Sequence, residues 1–257
     1  MQKVNIAFGR RLHTNAKNGF TARVLNSFSL KDDRQPPYTH FVQMGDPVLR
    51  TTTKPVDLNR ITSTETQNII NNMRIVLEDY DAFGVSAPQI GVPLSIFALQ
   101  CTEQQICKSS SDTLNTRGMV ETPFKVFINP KVKPVGETNI VDREGCCSMN
   151  QYSANVSRHK EVVVSAYNEK GEPVTWNAKD WNARIVQHEM DHLNGILFID
   201  KLHSSESLEF NYWRLVNIRQ GDFRLNFGQI SGWRQYLYVL PILFMIPLVI
   251  IMAIGKS

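Results

Sequence analysis

His188, Glu189 and His192 form a His-Glu-x-x-His pattern inside Gln187-His188-Glu189-Met190-Asp191-His192-Leu193-Asn194-Gly195. At about 100° per helical residue, His188 and His192 fall one turn apart on the same face, where two imidazoles can hold one divalent ion. Glu189 is one position further round. It stands beside such an ion rather than on it, as a base must to take a proton from an activated water. A third donor stands upstream, in Glu144-Gly145-Cys146-Cys147-Ser148, where a glycine next to a cysteine permits a bend tight enough to deliver sulfur. Two nitrogens and one sulfur leave the fourth position of a tetrahedral ion open to water, a composition suited to catalysis and not merely to structure. Gln89, in the small-residue stretch Phe83–Gly91, offers an amide donor amid closely approaching backbone. Each feature alone admits a plainer reading, as histidines on an ordinary core or surface helix, or as a satisfied glutamine in a turn.

The elements that must position these groups follow from periodicity and punctuation. The motif segment reads as a helix with Asn177 as cap, Asp180 three residues on, apolar faces from Ala183, Ile185, Val186 and Leu193, and a stop at Asn194-Gly195. A second helix is expected from Ser63 or Thr64 to near Ala82, on the spacing of Ile69, Ile70, Met73, Val76, Leu77 and Tyr80. Gly45–Arg50 reads as a turn followed by an apolar step. Ser95–Gln100 reads as a buried strand, and the polar residues 101–121, with their Ser109-Ser110-Ser111 run, as a loop. Phe124–Asn129 is a strand expected to stop at Pro130, with a short continuation over Lys131–Val135. Glu161–Tyr167 and Pro173–Trp176 are strands joined by a turn at Asn168–Gly171, and Ile196–Asp200 closes the core.

The whole chain is ordinary globular material at 42% apolar and 20% charged residues. Its net charge of +4 is mild. The excess gathers in residues 1–31, where Lys3, Arg10, Arg11, Lys17, Arg23 and Lys31 occur with no acidic residue before Asp32. That composition predicts a mitochondrial transit peptide and argues against direct nucleic-acid binding. Four cysteines, two of them adjacent, make a poor disulfide framework and fit a reducing compartment, with Cys101 and Cys107 as inert thiols. After residue 217 the composition shifts. Tyr236–Ile254 is a charge-free run of about 19 residues, which at about 1.5 Å each spans about 28 Å, close to a bilayer core. Trp233, Tyr236 and Tyr238 at one end, and Arg234 and Lys256 at the flanks, suit a membrane span at 236–254 within a C-terminal extension 218–257. Pro241 and Pro247 weaken that reading, and a buried hairpin is its alternative.

Gly84-Val85-Ser86-Ala87-Pro88-Gln89, then Glu144-Gly145-Cys146-Cys147-Ser148, then Gln187-His188-Glu189-Met190-Asp191-His192 resemble, in that order, the three signature motifs of peptide deformylase. The likeness runs from about Pro37 to Asn217, and Gly45–Arg50 with Tyr212-Trp213 look like the animal mitochondrial branch. The resemblance implies a catalytic domain over 37–217, with an α+β fold of antiparallel β-sheets packed around a central helix carrying the motif. It implies a metal held by Cys146, His188 and His192, Glu189 as the proton-transferring residue, and Gln89 with the backbone N–H of Cys147 as oxyanion donors. Phe83 and Gly84 resemble positions that pair with substrate as an added strand. Trp181 and Ile185, on the metal side of the helix, are candidates for a methionine pocket, with plain core packing as the alternative. The implied cofactor is one divalent ion, Fe2+ for activity, with Zn2+ or Co2+ as other ions the donors suit. The implied substrates are formyl-Met N-termini of nascent mitochondrial polypeptides in the matrix, with the mitochondrial ribosome as a further partner. The resemblance says nothing of the tail, and an inner-membrane surface is expected as a partner only from its apolar run. Three departures stand out: Ala82 where the family often has glycine, Ser86 in place of alanine, and Cys147, an oxidisable thiol beside the metal, where bacterial members usually have leucine.

Two rival readings remain at this stage. A His-Glu-x-x-His metallopeptidase would need a third ligand further on. Phe198 occupies that position in one class, and Glu206 and Glu209 are poorly spaced for another. A catalytically silent domain that binds nascent chains at a membrane has no use for a retained base and ligand set.

Overall fold

The computed structural model describes residues 35–211. The expected transit peptide, Tyr212-Trp213 and the tail with its apolar run at 236–254 lie outside the described residues. Among the described residues no helix is long and apolar enough to cross a membrane.

Eight strands make two antiparallel sheets: β1 Gly84–Ser86, β2 Ile96–Cys101, β3 Thr122–Pro134, β4 Asn139–Cys146, β5 Met149–His159, β6 Glu161–Tyr167, β7 Pro173–Lys179 and β8 Glu209–Phe210. The larger sheet runs β1-β2-β3-β6-β7 and the smaller β4-β5-β8. Helix α1, Thr64–Asp79, begins where Ser63 caps it, its side chain accepting from the Thr66 N–H. Its buried stripe Ile69, Ile70, Met73, Val76 and Leu77 packs on β1 and β2. β2 is buried on both faces. Ile96 and Ala98 join the core under α1, while Phe97 and Leu99 point the other way to β3, β6, β7 and the motif helix. That motif helix, α4, Asp180–Leu193, packs against β1, β2 and β7 of the large sheet and β5 of the small one. The fold is therefore α+β, with the sheets gathered about one helix.

Several local expectations are corrected. Asn177 does not cap α4. It belongs to β7, opposite Val163, and its amide donates to Glu161 at 2.6 Å, while Lys179 takes the cap position without a side-chain bond. Residues 101–121 are not a loop but two short helices, α2 Glu103–Lys108 and α3 Ser111–Arg117. The hydroxyls that gave this stretch its loop-like composition are helix caps: Thr102 accepts from Gln105 N and Ser110 from Thr113 N. β3 does not stop at Pro130 but absorbs it in a bulge, with Asn129 at φ 52 and a register shift between Ile128 and Lys131. β4 and β5 form a long hairpin where only a bend had been expected. The stop of α4 is as read: Asn194 caps it, and Gly195 turns away at φ +71 against the backbone of Arg50, where a Cβ would come within 2.8 Å.

Candidate functional site

Three elements converge. α4 presents His188 and His192, the end of β4 presents Cys146, and the short 3-10 helix Ala87–Ile90 after β1 presents Gln89. The donor atoms of Cys146, His188 and His192 all lie within 4.8 Å of one another, and Cys146 Sγ is 3.3 Å from His192 Nε2. Donors of a tetrahedral ion with bonds near 2.0–2.3 Å are separated by about 3.5 Å, so this set fits one ion with little movement. Burial works against a charged sulfur, but His192 and His188 outweigh it and hold the Cys146 thiol well below its ordinary range. The form they favour is the thiolate, which is the ligating form.

His188 is oriented through its far nitrogen, with Nδ1 3.1 Å from Glu144 Oε2. Glu144 is buried and gripped by Arg158 Nε and Nη2, both at 2.9 Å, and by Arg184 Nη1 at 2.7 Å. Burial alone would raise its pKa, yet hydrogen bonds from Arg158 and His188 prevail and keep it ionised well below the usual carboxylate range. Arg158 also pairs with Asp191, which in turn meets Lys201. Sequence reasoning missed this network, although one signal was available. Arg184, His188 and Asp191 sit at i, i+4 and i+7 of α4, a polar stripe that looks like a solvated face, yet Arg184 and Asp191 are buried and His188 is largely enclosed. A bound ligand imidazole usually relies on such a partner to fix its ring and tautomer.

Glu189 is buried, and its Oε2 has no hydrogen-bond partner among the described residues. Burial raises its pKa to about 7 against the pull of His188 and His192. A buried carboxyl oxygen left without a protein partner, aimed beside a ready ligand set, is what a water-activating site requires. Gly84 makes room for it: a Cβ there would lie 2.4 Å from Glu189 Oε1 and 2.8 Å from Ile185 Cγ2. Gly84→Ala is accordingly expected to lower kcat/KM by about 100-fold, as a displaced base and a crowded cleft floor demand. Steady-state kinetics on a folded variant check this, and wild-type kinetics would remove Gly84 from the site.

Gln89 is held by its carbonyl. Oε1 accepts from Ser86 N at 2.8 Å and from Ser86 Oγ at 3.1 Å, which turns Nε2 toward Cys146 Sγ and Ser148 Oγ at 3.5 and 3.3 Å. Ser86, a departure from the family pattern, thus adds a donor that orients the amide. Cys147 follows Cys146 at the hairpin turn. Burial, with Cys146 and Glu189, pushes its thiol up to about 12. The thiol expected there as oxidisable is thus kept in its protonated, less reactive form at neutral pH.

A cleft of about 330 Å³ opens over this group. Phe83, Gly84, Trp181 and Ile185 line one side, and Asn150, Gln151 and Tyr152 the other. β1 is the edge strand of the large sheet. The Phe83 carbonyl accepts from Gln100 N at 2.9 Å, so Phe83 turns its main chain toward β2. By antiparallel alternation Gly84 turns its own N–H and C=O outward to the cleft. Phe83 contributes its ring instead. Phe198 is fully buried in the core, and Glu209 pairs with Arg143, so neither supplies a third peptidase ligand.

The sequence profile of the polypeptide deformylase family matches residues 38–207. The mitochondrial peptide deformylase of Homo sapiens is 38% identical over 183 residues, covering 71% of this chain and 75% of that one. A peptide deformylase of Synechococcus elongatus, solved in complex with actinonin, superposes with TM-score 0.55 at 30% identity, covering 68% of this chain and 84% of its own. One from Acinetobacter baumannii, solved with Met-Ala-Ser bound, gives TM-score 0.56 at 25% identity, covering 63% and 96%.

Proposed function

Because this chain belongs to the peptide deformylase family, an enzyme family that removes N-terminal formyl groups, we propose that it releases formate from formyl-Met N-termini of mitochondrially made polypeptides, with Cys146, His188 and His192 holding one divalent ion. The observation that carries this reading is the convergence of those three donors with the carboxyl of Glu189, whose Oε2 has no partner among the described residues. The ion, when bound, supplies Lewis-acid activation of the hydrolytic water. Glu189 takes a proton from the attacking water and returns it to the departing amine, so the formyl C–N bond breaks to give a free amino terminus and formate. As the formyl oxygen becomes negative, Gln89 Nε2 and the Cys147 N–H donate to it, and the long contacts Gln89 now makes leave it free to do so. Gly84 pairs with the peptide main chain as an added strand, and Phe83, Trp181 and Ile185 receive the methionine side chain. The A. baumannii relative holding Met-Ala-Ser supports a tripeptide of this kind as ligand.

Thiolate with two imidazoles suits iron(II), zinc or cobalt alike, and we take iron(II) as the active ion because the family resemblance implies it. The named mitochondrial relative and the acid-free basic residues 1–31 support a matrix location, with the mitochondrial ribosome as a docking partner and attachment to the inner membrane through 236–254. The full chain, loaded with each ion in turn without oxygen, is expected to release formate from formyl-Met-Ala-Ser fastest with iron(II). Cleavage of an internal peptide bond instead would identify a peptidase, and neither product would identify a silent binder.

A further inference from the structure

The apolar side of the cleft is held in place by residues outside the three motifs. Trp181 stands edge-on to Phe83, ring centroids 5.4 Å apart. One face of the indole is covered by the Arg117 guanidinium, 4.5 Å from the ring centroid. Arg117 is itself pinned. Nε and Nη2 grip the two oxygens of Asp142 at 2.9 and 3.1 Å, and Nη2 also donates to the Arg143 carbonyl at 3.3 Å. Asp142 lies on β4, the strand that ends at Cys146. Arg117 ends α3, and the chain beyond it is docked on the first turn of α4. A Cβ on Gly118, at φ +56, would lie 2.8 Å from the Asp180 Cβ, and Thr122 and Asn182 exchange hydrogen bonds at 2.9 and 3.3 Å. The segment 102–121 thus ties the ligand strand to the motif helix through one stacked guanidinium.

We propose that Arg117 is a positioning residue for the methionine pocket. Stacked on Trp181 and anchored by Asp142, it fixes where the indole stands and so which first side chain the cleft accepts. The inference rests on the deformylase reading. An indole on a helix's first turn that loses the cation on its face keeps the edge contact with Phe83 and its packing on the core, yet can shift about its two side-chain torsions, and a pocket with a movable wall loses discrimination before it loses chemistry. Lysine cannot substitute fully, because only a planar guanidinium can stack on the ring and grip a carboxylate with two nitrogens together.

The test uses the full chain as wild type, Arg117→Ala, Arg117→Lys and Asp142→Asn. Calorimetric titration with Met-Ala-Ser and Ala-Ala-Ser needs no turnover, and kinetics on formyl-Met-Ala-Ser supply kcat and KM. Arg117→Ala should weaken Met-Ala-Ser binding about fivefold to tenfold, the range of a partly buried cation–π contact. Its preference for Met over Ala should shrink in proportion, with KM raised and kcat within about twofold. Arg117→Lys and Asp142→Asn should fall between it and wild type, and they carry the test if Arg117→Ala does not fold. Unchanged peptide discrimination in the variants would overturn the proposal, as would equal weakening toward both peptides with a parallel fall in kcat. A wild-type chain that discriminates between the peptides yet releases no formate would refute the deformylase reading and leave the role of Arg117 standing.

Discussion

Replacing Glu189 with alanine is expected to lower kcat by about 10²–10⁴-fold, the contribution of a positioned general acid–base group, while metal content and fold are retained. The carboxyl is buried, one oxygen has no partner among the described residues, and burial has already raised its pKa to about 7. A cation in the adjoining ligand set pulls the same group toward carboxylate, the form that accepts a proton. In stability the group is a liability, since a buried polar atom without a partner costs about 1–3 kcal/mol. The variant should therefore unfold at the same temperature or higher, and that pairing of lost turnover with undiminished stability separates a chemical role from a structural one. Stopped assays of formate release with thermal unfolding of the same preparations measure both. Retained turnover would remove Glu189 from proton transfer, and a collapse of stability would make it part of the scaffold.

What could be read in the chain depended on whether apolar periodicity or ionic pairing built the element. α1 was legible because Ser63 caps it and its buried stripe repeats at helical spacing. β2 was legible because both its faces are apolar. The β4–β5 hairpin was not. Its one buried position on β4 is Glu144, and β5 encloses Ser153 and Arg158 among Met149, Ala154 and Val156, so polar burial breaks the apolar alternation that would mark the two strands. Polar burial likewise hid the parts played by Arg184 and Asp191 on α4. α2 and α3 escaped because helices of six and seven residues are too short to show a period, and their capping hydroxyls have the composition of a loop. The chemistry-bearing residues were named from spacing and resemblance, since a ligand helix announces itself by residue type. Ser86 orients Gln89 from three residues away, but other supporting pairs span 14 residues, as Glu144 and Arg158 do, or 64, as Arg117 and Trp181 do, and pairings of that reach appear only once the sheets are assembled.

The two adjacent cysteines give the second large effect, as a contrast within one dipeptide. Cys146→Ser should weaken metal binding by about 10²–10³-fold, one ligand's share of the roughly 10–16 kcal/mol that a four-ligand zinc site yields. Formate release should fall with it. The physical ground is the position of the sulfur, 3.3 Å from His192 Nε2 and 3.5 Å from Gln89 Nε2, with both imidazoles drawing it toward thiolate. Serine keeps the bend of Gly145 but offers a hydroxyl whose pKa is far too high to be drawn down in the same way. Cys147→Ser should change metal content little and kcat by less than about threefold. Its side chain packs against the core under α1, its thiol is pushed up to about 12, and its proposed part in the reaction is played by the backbone N–H. Metal per chain after dialysis against a graded chelator, measured by mass spectrometry on both variants and wild type, reads the difference without turnover. If the variant at 147 were the one to lose its ion, the sulfur would have been assigned to the wrong side of the turn. The Glu144–His188 contact, which presupposes a ligand two residues after Glu144 on the same strand, would then need a different explanation.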